Sequence, residues 1–172
     1  MVPWIPQHDS DAYCVPSSLR MVLEFYREHH SSDAIREAVP DLSLKEVISI
    51  CLASKTSGTR VGPELVKRLS DRVTPLRFAI GANTLDQVER REERGLPTIL
   101  IYDGVWLLQG RQGGAHAGVY VGRAKDGDPV LNNPWVGALY VPPRQKFLDA
   151  WELHGMLAMT VDPIPQTKLP EA

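Results

Sequence analysis

Apolar residues recur every three or four positions through the first part of the chain and at every second position in much of the remainder. From Pro16, the positions Leu19, Val22, Leu23 and Tyr26 fall on one helical face. Pro16 suits a first turn, where its missing N–H leaves no hydrogen bond unmade. His29 and His30 suit the far end, where C-terminal carbonyls favour polar or cationic groups. The spacing therefore predicts a helix with Cys14 at its mouth. A short helix is expected after Ser32. The stretch 43–54 predicts a better one, with Ser43 and Glu46 spaced as a capping box and Leu44, Val47, Ile48, Cys51 and Leu52 as its apolar face. A third segment, 62–72, turns Leu65, Val66 and Leu69 inward.

The period then changes. Leu76, Phe78 and Ile80 alternate, which predicts a strand over 74–80. Residues 83–95 form a charged surface helix, capped by Thr84 with Gln87 and stopped by Gly95. Further strands are expected at 97–102, 105–109, 116–123, 128–133, 138–141 and 156–161, and a helix at 144–155. The stretch 102–114 reads as a mobile flap or a plain hairpin. Residues 1–13 should be extended, since Pro3 and Pro6 exclude a helix. Helices first and strands later predict an α+β fold, a helical N-terminal part packed on a mainly antiparallel sheet. One domain, 1–162, and a Pro-rich flexible tail, 163–172, are expected.

With 172 residues the chain can bury a full core, and 43% apolar with 23% charged residues is ordinary for a globular domain. The net charge of −2 gives no electrostatic case for a nucleic acid or an anionic membrane as partner. No apolar run approaches membrane-spanning length, and the first residues lack the basic-then-apolar pattern of a signal peptide. A cytoplasmic location is the expectation. Two cysteines, Cys14 and Cys51, do not make a disulfide framework, and a reducing compartment keeps both as thiols. Cys51 sits on an apolar helical face and reads as core. The five histidines show no paired spacing for zinc. A metal site on Cys14 and His116 would lack further ligands, and nothing calls for a cofactor.

Cys14 differs from Cys51 because the end of a helix favours a thiolate. A thiolate nucleophile needs a base, a group that orients the base, and donors for the oxyanion that forms. His116 opens a strand behind Gly113-Gly114 and is the candidate base. Asn133, or its neighbour Asn132, is the candidate orienting amide. Gln7 offers an amide donor, with the Cys14 backbone N–H as the second. Each has a plainer reading: a buried thiol, a strand-end histidine, an Asn-Pro turn, a solvated glutamine.

Taken together, Gln7, the "CVPSSLRMVLEFY" helix, "TSGTRVGPELVKRL", "RGLPTILIY", "HAGVYVGR" and "NNPW" resemble the papain-like cysteine peptidases, above all the bacteriocin-processing peptidases that cut after a double glycine. The likeness spans residues 3 to about 161. It implies the papain-like fold, with Cys14 as nucleophile, His116 as base, Asn133 as orienting residue and Gln7 in the oxyanion hole. It further implies a thiol hydrolase acting on a peptide or protein substrate, with a preference for glycine near the cut if the cleft is narrow. Trp4, Trp106 and Trp135 would be candidates to line that cleft. The same machinery could serve an acyl-transferring transamidase, and a catalytically inactive binding module is the alternative from another class. Two departures stand out. Val15 follows the cysteine where these families usually have glycine. Gln7 lies seven residues before Cys14, where six is usual, so residues 8–13 should bulge or carry the amide out of range.

Overall fold

The computed structural model describes residues 1–7 and 10–164. Ser10 accepts from the Ala12 amide and caps one 3-10 turn, Asp11–Tyr13, which leads directly into α1 (Cys14–His29). The extended start predicted for 1–13 therefore stops before this turn. Pro16 lies in the first turn of α1, as its fixed φ requires. Leu19 and Val22 are fully buried, each stabilising the fold by roughly 2 kcal/mol.

α2 (Asp33–Ala38), α3 (Leu44–Cys51) and α4 (Pro63–Arg72) follow. The capping box of α3 forms as read: Ser43 Oγ accepts from the Glu46 amide, and the Glu46 carboxylate accepts from the Ser43 amide at 2.8 Å. Cys51 is buried, but Leu52 is not part of the apolar face. It closes the helix in the left-handed region (φ 53°) and is 70% exposed.

The rest of the chain builds the sheet: β1 (Leu76–Ala82), α5 (Leu85–Glu92), β2 (Thr98–Asp103), α6 (Gly104–Gln109), β3 (Ala115–Arg123), β4 (Pro129–Asn133), β5 (Gly137–Tyr140), α7 (Arg144–Glu152) and β6 (Leu157–Pro163). The strands form one antiparallel sheet in the order β1-β6-β2-β3-β4-β5. Strand alternation feeds two cores. Ile99, Ile101, Ala117, Val119, Met159 and Val161 pack with α1, α3 and α4 on one face. Leu100, Tyr102, Tyr120 and Ala158 pack with residues of α5, α6 and α7 on the other. The fold is thus α+β, with the helical half on one face of the sheet and a second, thinner helical layer behind it.

One element is corrected. Residues 105–109, expected as a strand, lie in α6, so 102–114 is not a plain hairpin. Asp103 caps this helix, accepting from the Trp106 amide at 2.8 Å, and Gly110 ends it at φ 71°. A short apolar run has no decisive period, and here the caps settle the outcome. β6 continues through Pro163, and the Ile164 amide donates to the Pro75 carbonyl at 2.9 Å. The remainder of the expected tail, 165–172, lies outside the described residues. Among the described residues no helix is long and apolar enough to cross a membrane.

Candidate active site

Cys14 is the first residue of α1, a free thiol at 7% exposure. The amides of a helix's first turn have no intrahelical partner, so this position can stabilise negative charge. Val15 is helical and not among the residues of positive φ, so this position makes no demand that only glycine meets. Its side chain instead lines a cavity of about 380 Å³ together with Cys14, His116, Asp11, Arg60 and Ile101. None of Trp4, Trp106 and Trp135 lines that cavity.

His116 enters from the other half of the molecule, as the second residue of β3. It is 4% exposed, and its Nε2 lies 2.9 Å from Asn133 Oδ1. Oδ1 also accepts from the backbone amides of Trp135 (2.9 Å) and Val136 (3.2 Å), which identifies it as the amide oxygen. Nε2 must therefore carry the proton, and Nδ1 keeps a lone pair. Trp135 packs beside the imidazole, ring centroids 5.5 Å apart, and Tyr102 stands edge-on to it at the same distance.

Period-two geometry separates the two asparagines. Asn133 shares a strand face with Leu131, whereas Asn132 points the opposite way. Asn132 Nδ2 donates to the Val2 carbonyl at 2.8 Å, and its Oδ1 accepts from the Leu139 amide. Gln7 is held near the same turn: its backbone amide donates to the Pro134 carbonyl at 3.2 Å, and Trp4 Nε1 donates to the Asn133 carbonyl at 2.9 Å. The Gln7 side chain is buried at 9% exposure, and among the described residues neither of its polar atoms has a hydrogen-bond partner. Gln7 does not line the Cys14–His116 cavity. The bulge expected between Gln7 and Cys14 falls partly on residues 8 and 9, outside the described residues.

Burial governs the charge states. It pushes the Cys14 thiol up, against the lowering effect of the backbone amides of Ala117, Val15 and Cys14 itself. It pushes His116 down to about 4, against the Asn133 hydrogen bond and the Asp11 charge, which both raise it. The thiolate expected from the helix end is thus outweighed by desolvation, and thiol and imidazole are both neutral at pH 7. A neutral imidazole with a free Nδ1 can accept a proton. Cys51 is pushed up to about 12 by burial. Among the described residues no group of three or more His, Cys, Asp or Glu could hold a metal ion.

Tyr102 and Gly104 escape a reading of the sequence, yet both bear on His116. Tyr102 Oη accepts from Asn133 Nδ2 at 3.1 Å. A Cβ on Gly104 would lie 2.7 Å from His116 Cβ. The one available signal was a tyrosine ending an apolar strand, since a buried hydroxyl needs a partner.

The model of the peptidase C39 like family matches residues 1–159. Two solved structures are similar. One is described as a C39-like peptidase from Bacillus anthracis, at 15% identity and a TM-score of 0.68, covering 96% of each chain. The other is the peptidase domain of Streptococcus ComA, a bifunctional ABC transporter involved in a quorum-sensing pathway. It is 16% identical with a TM-score of 0.65, covering 95% of this chain and 100% of that one. No curated protein matches the chain.

Proposed function

The chain belongs to the peptidase C39 like family, and from that membership we propose that it is a cysteine peptidase whose nucleophile is Cys14. The observation that carries this reading is the His116 Nε2–Asn133 Oδ1 hydrogen bond of 2.9 Å, in a cavity that His116 shares with the thiol. It fixes the tautomer that leaves Nδ1 able to take the thiol proton. As Sγ attacks the peptide carbonyl carbon, that proton passes to Nδ1. The Cys14 backbone amide is one donor to the oxyanion, and Gln7, whose buried side-chain amide has no hydrogen-bond partner among the described residues, is the candidate second donor once it turns toward the cavity. Asn133 stabilises the imidazolium. His116 returns the proton to the leaving amine, and a thioester remains on Cys14. Water then attacks the thioester, gives its proton to Nδ1, and the acid departs as Cys14 regains its proton.

Val15 bears on selectivity rather than on the backbone, because it lines the cavity beside the nucleophile. Substrates with glycine at the cut are the first class to present. The reading places the enzyme in a reducing compartment, the cytoplasm, because Cys14 must remain a thiol.

The test is hydrolysis of Gly-containing peptides by the wild type and by Cys14→Ala, with product masses and the mass of the intact protein followed together. Cleavage that disappears in Cys14→Ala, with a transient acyl adduct on Cys14, is the expected result. Added amine that captures the acyl group would mark transfer in place of hydrolysis. Cleavage that persists in Cys14→Ala, or a wild type that cleaves none of the peptides, would overturn the reading in favour of a binding module.

A further inference from the structure

We propose that Tyr102 is a positioning residue for the reaction assigned above, its hydroxyl holding the Asn133 amide so that Oδ1 faces His116 Nε2. The proposal rests on that assignment for its functional meaning. The two ends of the Asn133 amide have unequal support. Oδ1 accepts from His116 Nε2 and from the Trp135 and Val136 amides. Among the described residues Nδ2 has one partner, Tyr102 Oη at 3.1 Å. Asn133 is 1% exposed and Tyr102 fully buried, so bulk water does not reach that donor.

Packing alone does not call for a hydroxyl here. The Tyr102 ring meets Phe147 at 5.8 Å and His116 at 5.5 Å, both edge-on, and a phenylalanine would make the same contacts. Taking a hydroxyl out of water is unfavourable unless it is paired, and its recorded partner is the Asn133 amide. The strand next door accommodates it. Gly118 is not a residue of positive φ, so its backbone makes no demand for glycine. A Cβ there would lie 2.9 Å from Tyr102 Oη. Gly118 thus keeps open the space that the hydroxyl fills. Register places Tyr102 directly opposite His116, so one residue touches the imidazole with its ring edge and the orienting amide with its oxygen.

Without the hydroxyl, Nδ2 is a buried donor with nothing to bond. The amide relieves this by turning or shifting, and His116 Nε2 loses its acceptor. The Nδ1–H tautomer, which cannot take the Cys14 proton, then becomes populated.

The experiment is 15N NMR of the His116 ring at pH 7, paired with the rate of Cys14 alkylation by iodoacetamide. The wild type should show the Nε2–H tautomer. Tyr102→Phe should show a mixture and react about tenfold more slowly, within the range that a general base contributes. Gly118→Ala, which crowds the hydroxyl while keeping the phenol, should move the tautomer in the same direction and stands in if Tyr102→Phe fails to fold. Phe147→Leu, which removes the ring contacts to Tyr102 and Trp151 and leaves the hydroxyl's hydrogen bond in place, should lower Tm and leave the tautomer alone. A wild-type tautomer and rate in Tyr102→Phe, or an equal tautomer change in Phe147→Leu, would overturn the proposal. A wild-type rate that is unchanged by His116→Ala would instead overturn the peptidase reading, and the NMR result would still report on Tyr102.

Discussion

His116 is a titratable side chain sealed inside the site at 4% exposure. Burial holds it neutral down to about pH 4, whereas in an unfolded chain it takes up a proton near 6.5. The unfolded state therefore binds the proton first as pH falls. Stability from this group is complete above about 6.5 and is lost between there and about 4, amounting to roughly 3 kcal/mol. Urea midpoints at pH 7, 5.5 and 4 should trace this loss, and His116→Gln should remove most of the slope over that interval. An equal slope in the variant would contradict the account. At this scale the sequence was readable where residue type met position. A cysteine at a helix start, a histidine opening a strand and an asparagine closing one are each unusual enough to notice. The choice between Asn132 and Asn133 needed the strand register, because one residue of offset exchanges the faces. Tyr102 was hidden within an apolar strand, where an aromatic residue is unremarkable. The resting charge of Cys14 was also beyond the sequence, since the depth of burial decides it.

Among the elements, the connection from β2 to β3 sets where the imidazole can stand. Asp103 binds both ends of that connection, accepting from the Trp106 amide with Oδ1 and from the Gly113 amide with Oδ2, each at 2.8 Å. Gly104 then passes so close to His116 that no side chain fits, and Gly113 passes closer still to Val105. Gly104→Ala should displace the imidazole. The expected outcome is a loss of about 1–3 kcal/mol in stability, as for other overpacked sites, together with at least tenfold slower peptide cleavage. Denaturant unfolding and kcat measured on the same preparation check both. Wild-type kcat would show that His116 does not depend on this close approach. Most elements were legible because a period of 3.6 or 2 ran through them, and the boxes at Ser43–Glu46 and Thr84–Gln87 formed as read. α6 was misread because its six residues are too few to show a period; in the fold Asp103 caps its start and Gly110 its end.

The whole molecule brings together groups that the chain keeps far apart. Cys14 comes from the helical half and His116 from the sheet half, and the N-terminal segment crosses the turn after β4 through Val2, Trp4 and Gln7. The order of helices before strands was enough to give the α+β class. It did not give the second helical layer, because α5, α6 and α7 each occupy a gap between strands and their common face emerges only once the sheet is closed. Peptide cleavage requires Cys14 and His116 to act as one unit across these halves. The most direct measurement is the rate at which iodoacetamide modifies Cys14 between pH 5 and 9, in the wild type and in His116→Ala, with each cysteine followed by peptide mass. Cys51, at 1% exposure, is the internal control. With the thiol neutral at rest, His116 Nδ1 takes its proton as Cys14 attacks, so Cys14 should react at pH 6–7 in the wild type and lose this reaction in His116→Ala, with Cys51 unmodified in both. A Cys14 that reacts alike in the two proteins, or in neither, would contradict that pairing.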